Sequence, residues 1–321
     1  GYIYSILMET ERWHSFHRPE SRQPNCPDSE IRPIGELNAP PVSDFFLDLN
    51  SSMRLQLRVQ HSINLFNISY RCGICQMKNV LQKTIPDKLV VLTFDDGCKS
   101  QATFAAPILK AYGFGATFYI TEGLNFLTNK EAYMTWEEVR GLHDNGFEIG
   151  NHTRHHRNVT QQHAEELSAD LAHIDARCET YGISKPTTFC YPGYSHGEAA
   201  VQLLAEHGFH FARRGVAPEF PYSGEGERGP AYNPTLHHPL LIPTTGASGP
   251  NWNFDDFTWA LTQATDGNIT ILTFHGVPDI EHSWVHTEPE QFEAYMAHLY
   301  ENDYKVIALR DLADYVDPHS L

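Results

Sequence analysis

The sequence predicts parallel α/β structure, with a barrel and a doubly wound sheet as the two choices, and three observations carry that prediction. After Pro86, strand-like and helix-like stretches alternate at least six times, the pattern of βα units feeding a parallel sheet. Asp95, Asp96, His152, Tyr191, Arg213 and His275 all fall at or just past the C-terminal end of an expected strand, although they are up to 180 residues apart. That is the working face of a parallel barrel. Finally, 321 residues, 41% of them hydrophobic and 12% aromatic, can bury one large core.

The stretch Val90-Val91-Leu92-Thr93-Phe94-Asp95-Asp96-Gly97 organises the rest. An apolar, β-branched run that ends in two carboxylates and a glycine reads as a buried strand delivering paired acids at its tip. Side chains alternate along a strand, so Asp95 and Asp96 cannot do the same job from the same direction. A helix is expected over 103–112, stopping at Gly113, and a strand over 115–120. Thr135-Trp136-Glu137-Glu138 is a capping-box start for a helix that ends near Asn145-Gly146. A short strand at 147–150 then runs into Asn151-His152-Thr153-Arg154-His155-His156. Thr160 caps a helix to about Tyr181, followed by a strand at 187–191, a helix at 198–207 and a strand at 209–213. A short strand at 239–243, a helix at 254–265, a strand at 269–274 and a helix at 289–302 complete the series.

Ahead of Pro86 the pattern differs. Residues 9–41 are polar, punctuated by prolines and without a sustained period, which reads as extended or disordered chain. Leu55-Gln56-Leu57-Arg58-Val59-Gln60 alternates as an edge strand would. We therefore separate an N-terminal segment, 1–85, from a domain at 86–321. The formal charge of −17, from 40 acids against 23 bases, repels phosphate backbones and argues against nucleic acid as a partner. No apolar run reaches membrane-spanning length, and residues 2–7 are too short for a signal-peptide core. The expectation is a soluble protein, with secretion or association with the cell envelope left open. Of six cysteines only Cys72 and Cys75 are close. A single C-x-x-C lacks the rest of a structural zinc site, so unpaired thiols are expected.

His152 and His156 are four apart, a spacing that puts both imidazoles on one side of a helical turn, with His155 out of phase. Alone, an H-x-x-x-H is more often a surface pair. A strand-end carboxylate changes its meaning: two His and one Asp leave open positions for water, as in hydrolytic zinc and non-haem iron sites. With no oxygenase scaffold visible, the expectation is hydrolysis.

These residues make the chain resemble the polysaccharide deacetylases with a NodB homology domain, carbohydrate esterase family 4. Thr93-Phe94-Asp95-Asp96-Gly97 is similar to the family's first motif, His152-Thr153-Arg154-His155-His156 to its second, H-[ST]-x-x-H, and Leu272-Thr273-Phe274-His275 to its last. The match runs over roughly 86 to 316. The resemblance implies a distorted (β/α) barrel of seven or eight parallel strands. It implies a metal-dependent enzyme that removes N-acetyl groups from N-acetylglucosamine-containing glycans (chitin oligomers, peptidoglycan or poly-N-acetylglucosamine) and releases acetate. Asp96, His152 and His156 would be the ligands of a divalent metal, zinc first, with Co2+ or another divalent ion as alternatives. Asp95 would be the general base and His275 the general acid, while Tyr191 and Gly193 would lie on the substrate and oxyanion side.

The sequence departs from the family in two places. The third motif, R-x-P-[YF], supplies an arginine that orients the base, whereas Phe189-Cys190-Tyr191-Pro192-Gly193-Tyr194 has Cys190 there. Members that look like this carry the arginine on the following strand, where Arg213 and Arg214 stand; Arg213 is expected to face inward and grip Asp95 as a bidentate fork. The fourth motif, an Asp and a Trp that line the pocket and tune the acid, has only Asn251-Trp252-Asn253-Phe254-Asp255 as a candidate. The Gly- and Pro-rich stretch 216–239 is long for a barrel loop and reads equally as a cleft wall or as an insertion. Tyr222, Tyr232, His237 and His238 would be its contact residues. Two other readings stay open: an amide or ureide hydrolase of the same barrel superfamily that works without the metal set, and a non-catalytic carbohydrate-binding relative.

Overall fold

The structure, a computed structural model, describes residues 80–216 and 228–319, all within the compact unit Ile74–Leu321. Residues 1–79 of the N-terminal segment, with its expected edge strand and the Cys72/Cys75 pair, and Tyr222 lie outside the described residues.

Among the described residues, eight short strands make one sheet in which every strand pair is parallel. They are β1 (Leu89–Phe94), β2 (Thr117–Ile120), β3 (Glu148–Asn151), β4 (Thr188–Cys190), β5 (Phe211–Arg213), β6 (Gly246–Ala247), β7 (Thr270–Phe274) and β8 (Lys305–Ile307). Parallel strands are covered on both faces and read as continuous apolar runs, and β1 is buried at every position. The order β5-β4-β3-β2-β1-β7-β6 puts β1 inside the sheet. One edge of β1 is taken along its length by β7, from Val90↔Thr270 to Phe94↔Phe274. The other edge is shared: β8 pairs with Leu89, Val90 and Val91, and β2 with Thr93 and Phe94.

The ends of this order meet. Ile242 donates its N–H to Ala212 O at 2.8 Å and accepts from Arg214 N–H at 2.8 Å beside β5, and a few residues later Gly246 and Ala247 pair with Leu272 and Thr273 of β7. One short segment therefore joins β5 to β7 and shuts a distorted barrel. That closure decides against the doubly wound sheet.

Six α-helices of the described residues cover the outside: α1 (Ala106–Tyr112), α2 (Trp136–Asp144), α3 (Ala164–Thr180), α4 (Glu198–His207), α5 (Phe254–Thr262) and α6 (Pro289–Glu301). The Thr135–Glu138 capping box forms at the start of α2. Alternation along β1 sorts the two cores. Val90, Leu92 and Phe94 face the helices together with Leu109, Val139 and Phe292, while Leu89 and Val91 face the barrel interior with Tyr119, Phe211 and Ile271. Asp95 continues the inward set.

Local chemistry shifts several expected boundaries. The helix expected from Thr160 begins at Ala164, because the Asn158 side chain accepts from Thr160 N–H and closes a separate 3-10 turn, Val159–Gln161. The first expected helix opens with a π-helical turn, Gln101–Ala105. The stretch at 239–243 holds a 3-10 turn, Pro239–Leu241, capped by His238, and the strand forms later, at β6. β8, three residues long, was absent from the expected series.

Candidate active site

The reactive residues meet where the strands of the barrel end. Asp96 (φ 72) and Gly97 (φ 69) turn the chain sharply after β1. A side chain placed on Gly97 would press on Phe126 at 3.0 Å, so glycine suits both the turn and its neighbour. The turn directs the two carboxylates to different partners. Asp96 Oδ1 lies 3.3 Å from His152 Nε2 and 3.2 Å from His156 Nε2, yet it is buried and has no hydrogen-bond partner. Three ligand atoms thus sit within 4.8 Å of one another without being aligned to bond each other.

The tautomer of His152 is set from behind. Its Nδ1 lies 2.8 Å from Cys190 O, and a carbonyl only accepts, so Nδ1 carries the proton and the Nε2 lone pair points at the cluster. Burial works to raise the Asp96 carboxyl, but His152, His156 and His275 outweigh it and hold the group well below the usual carboxylate range.

The histidine pair does not stand on a helical turn, which corrects the sequence expectation. Both residues lie in an irregular loop after β3, with Thr153 at φ 63 and His156 at φ 53. Asn151 Oδ1 accepts from Thr153 N–H at 3.0 Å, and Thr153 Oγ1 accepts from His156 N–H at 3.1 Å. Such local side-chain bonds offer the backbone an alternative to the helix. His155 faces away, its Nδ1 2.7 Å from Asp170 Oδ1 on α3.

Asp95, buried at 2% exposure, is gripped by Arg213 from β5. Arg213 Nη2 donates to both Asp95 oxygens at 2.5 Å, and Nη1 donates to Thr244 Oγ1 at 3.1 Å. The expected two-nitrogen fork is therefore one nitrogen serving two oxygens, since Thr244 takes the other nitrogen. Cys190 Sγ fills the corner, 2.8 Å from Arg213 Nη2 and 3.6 Å from Asp95 Oδ2. Arg214 points to the opposite side but is also buried, with Nε donating to Leu241 O at 3.1 Å. Burial raises the Asp95 carboxyl; Arg213 first, then His152 and His275, more than offset this and keep it below the usual range.

His275 follows β7, its Nε2 3.8 Å from Asp95 Oδ2 and 3.9 Å from Asp96 Oδ2. Its buried Nδ1 has no partner among the described residues. The 251–255 candidate for the fourth motif supplies none: Trp252 is buried in the outer core, and Asp255 is exposed in the first turn of α5. Both donors of Tyr191 are committed, its N–H to Arg213 O at 3.1 Å and its hydroxyl to Leu240 O at 2.8 Å. Gly193 (φ 56) sits in the 3-10 turn Pro192–Tyr194, at whose start backbone N–H groups have no partner within the turn. Tyr191, Gly193, His275 and both aspartates line one cavity of about 670 Å³.

Of the expected contact residues of the 216–239 loop, the described ones, Tyr232, His237 and His238, do not line that cavity. Tyr232 is fully buried in the barrel interior and bridges Ile269. His237 and His238 use their Nδ1 atoms to accept from the backbone N–H groups of Asn233 and Leu240. An aromatic ring in a loop can serve the core as readily as a ligand, and spacing does not distinguish the two. Sequence reasoning also passed over Gln101, whose side-chain amide donates to the carbonyls of Asp95 and His275 and ties the ends of β1 and β7 together. Nothing in the sequence around it marks that role.

Residues 82–212 match the family described as polysaccharide deacetylase. That stretch, which carries Asp95, Asp96, His152 and His156, is similar to polysaccharide deacetylases. Among curated relatives, the chain is similar to a putative polysaccharide deacetylase, YxkH, of Bacillus subtilis, with 23% identity over 38% of this chain and 43% of that protein. It is also similar to a peptidoglycan-N-acetylglucosamine deacetylase of Bacillus cereus, with 27% identity over 38% of this chain and 54% of that one. The matched region thus spans about half the length of these relatives. Among solved structures, the Xyl-CE4 domain of a multidomain xylanase from the hindgut metagenome of Trinervitermes trinervoides aligns with a TM-score of 0.48 and 18% identity, over 71% of this chain and 91% of that one.

Proposed function

We propose that this protein is a metal-dependent hydrolase that removes N-acetyl groups from N-acetylglucosamine-containing glycans and releases acetate. The observation that carries the reading is the buried, unpartnered Asp96 Oδ1 between two imidazole nitrogens at 3.2 and 3.3 Å, beside a second carboxylate held by a buried guanidinium. Asp96, His152 and His156 offer one carboxylate and two imidazoles with positions left open, a donor set suited to zinc and usable by cobalt. When bound, the ion supplies the positive charge that polarises an amide carbonyl and acidifies water.

The chain's own residues do the rest. Asp95, ionised and kept from swinging by Arg213, accepts the proton of the attacking water. The Gly193 N–H donates to the oxygen of the acetamide as charge develops there. His275, within 3.9 Å of both aspartates, protonates the amine as its bond to the acetyl carbon breaks. The ring of Tyr191 serves as a cleft wall. In this reading the catalytic unit spans 86–321, preceded by a short lead-in in which Leu81 bridges Val316.

A metal-independent amide or ureide hydrolase would leave the three converging ligand atoms without use. The non-catalytic reading rests on Cys190 leaving the base unsupported, and Arg213 removes that ground. The test is acetate release from chitin oligomers, peptidoglycan fragments and poly-N-acetylglucosamine by metal-stripped and zinc-restored protein. Release that depends on restored metal is expected from at least one of them; silence on all three with zinc bound would overturn the reading.

A further inference from the structure

The cavity that holds the two aspartates and His275 extends to a rim that the acetamide chemistry does not use. There Trp284, in the loop between β7 and α6, lines the same cavity and is 69% exposed. A single exposed aromatic residue is ordinary, but this one is mounted on a built frame. Asp279 Oδ1 accepts from the N–H groups of Glu281 and His282 at 3.1 and 2.7 Å, and Asp279 N–H donates to His286 Nδ1 at 3.1 Å. Val285 N–H returns to His282 O at 3.1 Å, and Thr287 is tied to Ser248 across the cleft wall, Oγ1 to Oγ at 2.8 Å. The His282 ring stands 5.1 Å from the indole at 57° and braces it from one side.

An indole face carries the negative side of the ring quadrupole. A pyranose turns C–H bonds, with their positive ends, outward from its faces, so the two surfaces match. The acetamide being cleaved must sit between Asp95, His275 and Gly193 at the base of the cavity. A ring on the rim therefore meets a different sugar. Taking the deacetylase reading as its basis, we propose that Trp284, braced by His282, is a stacking platform for a neighbouring sugar of the same glycan, so that the protein recognises an oligosaccharide rather than an isolated N-acetylglucosamine.

The test separates binding from turnover. Zinc-loaded Asp95→Asn protein is titrated with N-acetylglucosamine and with three longer probes: chitopentaose, a muramidase-released peptidoglycan fragment and a poly-N-acetylglucosamine pentamer. The expected result is tighter binding of at least one longer probe than of the monosaccharide, and a loss of that advantage by about 2- to 10-fold when Trp284→Ala is added, the size of one aromatic contact. Trp284→Phe should retain most of it. Ile280→Ser, in the same loop and 57% exposed but outside the cavity, should retain all of it. In the active protein, Trp284→Ala should raise KM for that longer probe by a similar factor.

Equal binding of the longer probe with and without Trp284, or no saccharide bound at all, overturns the platform. So does light scattering that shows a dimer dissolved by Trp284→Ala, which would mean that a second copy covers the indole. Trp284-dependent binding without acetate release by the parent would instead leave the platform standing and sink the deacetylase reading. Acetate release indifferent to Trp284 would do the reverse.

Discussion

Asp95 and Asp96 are neighbours in sequence with opposite surroundings, and single substitutions can separate their tasks. His156→Ala should abolish zinc retention, because it removes one of three converging ligand atoms, whereas His155→Ala should leave retention nearly intact, since His155 is turned to Asp170. Zinc content after dialysis decides; equal retention by both variants would remove His156 from the ligand set. Arg213→Ala should keep the metal and lower turnover by about 10²–10⁴-fold, approaching the loss of general-base catalysis itself. Adding Cys190→Arg to that variant should recover part of the loss, because the Cys190 side chain already reaches Arg213 and Asp95. Normal turnover in Arg213→Ala would mean that Asp95 is oriented by another group. Arg214→Ala tests something else: its guanidinium is buried against Leu241 O, so a fall in thermal stability is expected.

The pH dependence of metal binding also belongs to single residues. Burial works to lower the His152 pKa, but Asp96 and Asp95 outweigh it and push it above the usual histidine value. In the metal-free protein His152 is therefore protonated below that raised pKa, and the ion must displace the proton. Zinc affinity, measured by competition with a chelator, should fall as the pH drops below that raised pKa and be level above it. An affinity that does not change on acidification would contradict this.

At the scale of the element, the loop after β3 depends on one side chain. Asn151 is fully buried; its Nδ2 donates to Leu171 O at 3.0 Å and Asp175 Oδ1 at 3.2 Å on α3, while its Oδ1 holds Thr153 N–H. This anchor fixes the positive-φ path that brings His152 and His156 together. Asn151→Ala leaves the buried Thr153 N–H without its acceptor, at about 1–3 kcal/mol, and frees the loop. We expect a lower melting temperature together with weaker zinc binding. If stability falls but zinc affinity does not, the loop is shaped by the metal ligands and not by its anchor.

At the scale of the molecule, Glu148 ties the barrel together at the end of β3 away from the site. Thr188 Oγ1 donates to its Oε1 at 2.7 Å, and Thr117 Oγ1 and Arg310 N–H donate to its Oε2 at 2.6 and 2.8 Å. Three strands and the C-terminal turn Leu309–Asp314 thus meet at one carboxyl group. Burial pushes the Glu148 pKa up, against the pull of Thr117, Thr188 and Arg310. An acid whose folded pKa lies above its unfolded value holds its proton more tightly when folded. Its contribution to stability therefore declines as the pH rises through the unfolded value of 4.5 and levels off above the folded one. Glu148→Gln should flatten that part of the stability profile, whereas Glu148→Ala should destabilise at all pH values by leaving the donors unpaired. Denaturant midpoints across the acid range would show a parallel profile for Gln and wild type if this account were wrong.

What could be read from the sequence was local. The period of two in Val90 to Phe94 sorts inner from outer side chains, and strand ends can be recognised one at a time, so the sequence by itself determined the α/β class and the residues arriving at the working face. It also determined, through the alternation of Phe211, Ala212 and Arg213, that adjacent arginines must part. Tertiary structure decided whatever depends on contacts between distant segments. Barrel closure needs Ile242 against Ala212 and Gly246 against Leu272. The grip on Asp95 needs a side chain 118 residues away. The path between the histidines is set by an Asn anchored on a later helix, and whether a loop ring such as Tyr232 or Trp284 serves the core or the cleft depends on what packs against it. Periodicity is a property of a few consecutive residues, whereas burial and partnership belong to the whole folded chain.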